Sequence, residues 1–71
     1  MDRTYIESSA LLSIGYDTST STLEIEFKNS HQVWQYYDVP EYIWYEFCDA
    51  PSAGKYFNSN IRNQYSGSRV G

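Results

Sequence analysis

Two hydrophobic periods follow one another along this chain, and their order constrains its fold more than any other feature. Thr22-Leu23-Glu24-Ile25-Glu26-Phe27-Lys28 alternates without a fault. A pleated strand sends successive side chains to opposite faces, so Leu23, Ile25 and Phe27 share one face while Thr22, Glu24, Glu26 and Lys28 share the other. Further on, Pro40, Ile43, Trp44 and Phe47 recur at helical spacing. The chain reads as sheet first and helix after, within 71 residues. That length leaves room for one small core and none for a second domain or a deep cleft.

The remaining segments fill in an α+β plan. Ser9 to Tyr16 places Leu12, Ile14 and Tyr16 at alternate positions, and Asp17 to Ser21 supplies side chains that favour turns. Asn29-Ser30-His31 forms a second turn, and Gln32 to Tyr37 is rich in residues that suit a pleated surface. The expectation is a three-stranded antiparallel meander. Asp38 stands where an N-cap is needed, with Pro40 in the first turn and Glu41 able to reach back to the cap. Ala50-Pro51 then interrupts the helix, and Ser52 caps a second one running to about Gln64. The reading is β-β-β-α-α, a single domain over 1–71 with its core at about 9–65, both helices on one face and both ends frayed.

Charge is unevenly placed. The formal net charge is −4, yet residues 1–49 hold all nine acids against Arg3 and Lys28, while residues 50–71 hold Lys55, Arg62 and Arg69 and no acid. On a regular second helix, Lys55 and Arg62 are seven apart and lie within about 20° of each other. Asn58 flanks them, opposite Ala53, Gly54, Phe57 and Ile61. The expected outer surface of that helix is a basic, amide-bearing stripe that Arg69 extends if the tail follows the same side. Three cations permit a phosphate-bearing partner without requiring one.

Other constellations point to ordinary structure. Glu24 and Glu26 share a strand face expected to be exposed, which offers neither the burial nor the close coupling a general acid needs, so a solvated face is expected rather than an acid–base pair. His31 sits in a turn with no second ligand at a recognised spacing, and no metal site or cofactor is expected. Cys48 lacks a partner or a neighbouring cation and reads as a half-buried small hydrophobe. No phosphate loop or nucleophile elbow occurs, so no enzymatic activity is expected. The longest apolar runs, such as Ala10-Leu11-Leu12, are far too short to span a membrane. No basic-then-apolar leader opens the sequence, and the lone cysteine suits a reducing, cytoplasmic setting.

Two motifs carry a resemblance. Trp34 and Tyr36 occupy the places of a Tyr-x-Tyr pair, with Trp for the first Tyr. The run Ser52, Gly54, Phe57, Asn58, Ile61, Arg62 and Tyr65 follows S-x-G-x-x-F-N-x-x-I-R-x-x-Y. Together they resemble the KTSC domain, a small module named for the C-terminus of some lysyl-tRNA synthetases and found also as a free-standing bacterial protein. The resemblance covers roughly Ser9 to Val70, and it implies RNA binding as the suggested role.

Two functions therefore fit these residues. In the first, a non-catalytic RNA-binding accessory module uses Lys55, Asn58, Arg62 and Arg69. Ser52 at the helix start suits a phosphate, and Trp34, Tyr36 or the outer Tyr37, Tyr42 and Tyr45 offer stacking surfaces. A core role for Trp34 and Tyr36 and a capping role for Ser52 are the structural counterparts. In the second, exposed tyrosines and an acidic sheet face form a protein-interaction module or a self-association surface. A groove joining Lys55, Arg62 and Arg69 favours RNA. A large exposed aromatic patch favours a protein partner.

Overall fold

A computed structural model describes residues 1–71, and its centre is an antiparallel sheet of five strands in sequence order. They are β1 (Thr4–Tyr5), β2 (Leu11–Asp17), β3 (Thr22–Phe27), β4 (Val33–Tyr36) and β5 (Gly67–Arg69). Two helices, α1 (Glu41–Asp49) and α2 (Ala53–Asn60), lie between β4 and β5 in the chain. The three expected strands are β2, β3 and β4. The meander is extended at both edges by segments expected to fray. Thr4 pairs with Ile14 on one side, while Trp34, Gln35 and Tyr36 pair with Arg69, Ser68 and Gly67 on the other. Both added strands are exposed along their length. They are held by main-chain pairing to open edges rather than by burial.

The face toward the helices is the core. Leu23 and Ile25 from β3 meet Ile14 and Tyr36 from their neighbours, then Val39, Ile43 and Phe47 around α1 and Phe57 and Ile61 around α2. One irregularity decides which leucine enters it. Leu11 pairs with Phe27 and Ser13 with Glu26, so Leu12 is an extra residue in β2. Simple alternation from Ile14 assigns Leu12 to the core, but the bulge restores Leu11 to that face, where it is buried.

The helix ends differ from expectation in two places. Asp38 does not cap α1: Pro40 holds the cap position with no side-chain hydrogen bond, and Asp38 sits at φ 56° in the left-handed region. Asp tolerates that conformation. The turn there carries Val39 into the core, where its N–H donates to Ser21 O at 3.0 Å and its carbonyl accepts from the Tyr16 hydroxyl at 2.5 Å. Ser52 does cap α2, accepting from the Lys55 N–H at 3.3 Å. That helix stops at Asn60 rather than Gln64, because the Ile61 and Arg62 N–H groups both turn back onto Phe57 O.

The sheet's other face is not the solvated surface expected of Glu24 and Glu26. Arg3 lies across it, ion-paired with Glu24 and 3.8 Å from Glu26, and its Nε donates to Ser13 Oγ at 2.9 Å. Ser13 in turn donates to Glu26 at 2.9 Å, and Gln35 donates to Glu24 at 2.8 Å. Glu24 is 7 % exposed as a result. Gly15 allows this closure, since a Cβ there would collide with the Asp2 carbonyl and come within 3.3 Å of Arg3 Cα.

Candidate nucleic-acid interface

Four of the residues singled out from the sequence meet in one open groove on the helix side of the sheet. β4 supplies Trp34 and Tyr36, α2 supplies Asn58, and the turn after α2 supplies Arg62. The groove encloses about 630 Å³, within the range of roughly 300–1,000 Å³ usual for sites that hold a small organic group. Its floor is aromatic. Tyr36 stands edge-on to Phe57, with centroids 5.5 Å apart and planes at 72°, and stacks on Trp34 at 6.4 Å and 22°. Phe27 meets Phe57 edge-on at 5.5 Å from the other side. Offset and edge-to-face pairs of this kind add about 0.5–1.5 kcal/mol each beyond burial, so the floor is firm.

Trp34 and Tyr36 both pack with the core and line the groove. Tyr36 is 6 % exposed and belongs to the core, Trp34 is half-buried beside it, and both still line the groove. Burial pushes the Tyr36 hydroxyl above its ordinary pKa, and the positive charge of Arg62 pulls the other way. Close approach at the far wall comes from Gly67 in β5, where a Cβ would stand 2.5 Å from the Tyr36 ring.

The polar side chains around this floor are amides, the Ser30 hydroxyl and one guanidinium, with no carboxylate among them. Gln32 Oε1 accepts from the Trp34 indole N–H at 3.1 Å, which leaves the Gln32 amino group free to donate. Asn58 Oδ1 accepts from Arg62 Nη1 at 3.4 Å, which fixes its own amino group in the same sense. Asn29 and Asn63 add amides at the rim.

The other named residues lie elsewhere. Lys55 is exposed on α2 and does not line the groove, and the Ser52 hydroxyl is engaged as the α2 cap. Arg69 is exposed on β5 opposite Trp34, with its Nε donating to Gly71 O at 2.9 Å. Of the three cations expected to form a line, the groove contains Arg62 alone. Gln32, Asn29, Asn63 and Gly67 were not singled out from the sequence. Gln32 had a readable signal, standing two residues before Trp34 and so on the same side of an extended chain. Asn29, Asn63 and Gly67 are brought there only by tertiary folding.

A second cluster occupies the outer side of α1. Tyr42 and Tyr45 are 60 % and 58 % exposed. The Tyr45 hydroxyl donates to Glu41 at 3.2 Å, and the charge of Glu41 raises its pKa. Tyr56 donates to Glu46 at 2.7 Å, and burial, aided by that bond, pushes its hydroxyl well above the usual tyrosine range. Cys48 is exposed rather than half-buried. Its thiol is held up by desolvation and by Asp49, which disfavours the thiolate.

Known proteins share both this fold and much of its sequence. The KTSC domain family model matches residues 7–65. An uncharacterised protein of Stutzerimonas stutzeri is 35 % identical over 65 residues, spanning 92 % of this chain and 90 % of its own. A lysine–tRNA ligase of Nostoc punctiforme is 36 % identical over 59 residues, 83 % of this chain but 10 % of the ligase. The crystal structure of a KTSC domain protein from Yersinia pestis superposes with a TM-score of 0.94 at 36 % identity, over 99 % of this chain and 97 % of that one.

Proposed function

This chain belongs to the KTSC domain family, and on that footing we propose that it is a non-catalytic accessory module that binds single-stranded RNA or the unpaired regions of a tRNA. The observation that carries the reading is the groove itself. It sets half-buried ring surface beside amides with donors left over and beside Arg62, and no acid lines it. Unpaired bases are recognised by such a combination of ring faces and edge-directed hydrogen bonds, each stacked base contributing about 1–3 kcal/mol. Lys55 and Arg69 lie outside the groove and serve as accessory phosphate contacts. The likeness to a segment of lysine–tRNA ligases supports a tRNA-related role. A chain with one cysteine and no helix long and apolar enough to cross a membrane fits a module working in a reducing compartment.

Few basic contacts imply a weak complex. Three phosphate contacts on a single strand give a slope of log affinity against log salt of roughly −2. Fluorescence-anisotropy titration of labelled tRNA and single-stranded RNA at two salt concentrations tests this, comparing the native chain with a Lys55→Glu, Arg62→Glu variant shown to be folded. Saturable, salt-weakened binding that the double variant loses is the expected result. Absence of binding at about tens of micromolar overturns the proposal.

The exposed Tyr42 and Tyr45, bordered by Glu41 and Glu46, favour a second reading. Here α1 is a docking face for a basic protein partner, with aromatic anchors of the kind interfaces favour. Loss of partner capture on a Tyr42→Ala, Tyr45→Ala change, with RNA binding absent throughout, would favour it over the first.

A further inference from the structure

The groove's hydrogen-bonding polarity points beyond RNA binding in general to a choice among bases, a choice that rests on the RNA-binding function proposed above. The two groove amides whose orientation is fixed by a protein partner are fixed in the same sense. Gln32 spends its oxygen on the Trp34 indole, and Asn58 spends its oxygen on Arg62. Their amino groups make no hydrogen bond within the protein and belong to residues that line the groove, as does the Arg62 guanidinium, which has no acceptor at all. No carboxylate is present to reverse the balance. We propose that this groove selects nucleobases that carry a keto oxygen at C4 of a pyrimidine or C6 of a purine, uracil or guanine, over those that carry an amino group at that position, cytosine or adenine.

The chemistry comes from the base edges. Uracil offers O4 and guanine offers O6 and N7 as acceptors, whereas cytosine and adenine place an amino donor at the corresponding position. A donor-lined wall meets the first pair with hydrogen bonds and the second with opposed N–H groups, and leaving such groups unpaired on desolvation is costly. Donors by themselves also suit a phosphate. The half-buried face of Trp34 beside them, packed on the buried Tyr36 ring, argues for a ring, because a phosphate has no apolar surface to lay against it.

Uridine and cytidine oligomers of equal length isolate the point, since the two bases are pyrimidines of nearly the same size and stacking surface. Anisotropy titrations of the native chain are expected to show oligouridine bound roughly ten-fold or more tightly than oligocytidine. Gln32→Glu keeps an oxygen for the Trp34 indole while replacing the free donor by an acceptor. Because the added charge weakens both ligands, the ratio of affinities is the quantity read, and it is expected to fall toward one. Equal binding of the two oligomers by the native chain, or tighter binding of cytidine, overturns the base preference while leaving the groove an RNA site. Failure of both to bind overturns this inference and the proposed function together.

Discussion

The two faces of the sheet are made by the same strands, yet one is closed and the other open. On β4 the alternation is direct: Trp34 and Tyr36 face the helices and the groove, while Gln35 turns to the opposite side. The outer face carries more charge, and that charge is already engaged. Arg3 holds Glu24, the Ser13 hydroxyl donates to Glu26, Gln35 donates to Glu24, and the Tyr37 hydroxyl donates to Gln35 at 3.2 Å. In the groove, Gln32, Asn58 and Arg62 each make one internal contact and keep donors over. Polar content alone does not mark a site. A site is marked by polar capacity left unspent beside surface a ligand can cover.

The largest effect is expected where floor and core are the same atoms. Phe57 is 3 % exposed and touches Phe27 and Tyr36, so Phe57→Ala should lower stability by about 3–5 kcal/mol. Denaturant midpoints at an unchanged slope measure it. A loss under about 1 kcal/mol would be that of a surface substitution, and would mean that the groove floor is not part of the core. Next comes the closed face. Arg3→Met removes the cation from a buried carboxylate and should cost about 1.5–3 kcal/mol, read in the same way. RNA affinity should stay unchanged, because Arg3 lies on the far side of the sheet from the groove. Weakened RNA binding in that variant would break the division between the faces.

Gly67→Ala should give a smaller loss of stability, about 1 kcal/mol, as the exposed edge strand yields to the new methyl group. Its effect on binding should be disproportionate, since the strand that yields lines the groove against the Tyr36 ring. Smallest is the response to alkali. Tyr36 and Tyr56 both have hydroxyls raised above the ordinary 10.0 by burial. The unfolded chain therefore ionises first. Their contribution is fully present below pH 10 and is lost as the pH climbs from there toward the raised folded values. Melting temperatures should be flat through neutral pH and decline above about 10, and a Tyr36→Phe variant should decline less steeply.

The parts of this fold that were legible are those in which burial dictates pattern. β3 alternates because one of its faces is core, and the break at Ala50-Pro51 and the Ser52 cap are local chemistry. β1 and β5 bury nothing and so left no hydrophobic signal; they exist because β2 and β4 had unpaired edges within reach. Glu24 and Glu26 read as solvated because Arg3, 21 residues from Glu24, could not be placed over them from the sequence. The bulge at Leu12 and the left-handed turn at Asp38 are tertiary choices, each made to bury a neighbour, Leu11 or Val39. At the site, Trp34, Tyr36, Asn58 and Arg62 were reachable from motif and helix geometry. The simple line of cations was not what the fold built, because α2 ends before Arg62 and the turn beyond it lies along the groove rather than continuing the Lys55 side.

One face of the sheet is open to a ligand and the other is closed, and side-chain amide signals report on both at once. In a ¹H–¹⁵N spectrum titrated with single-stranded RNA, the Trp34 indole and the Gln32 and Asn58 side-chain amides should shift progressively and saturate. The Gln35 side-chain amide, held by Glu24 on the closed face, should stay in place. Movement of Gln35 with the groove signals still would contradict the account.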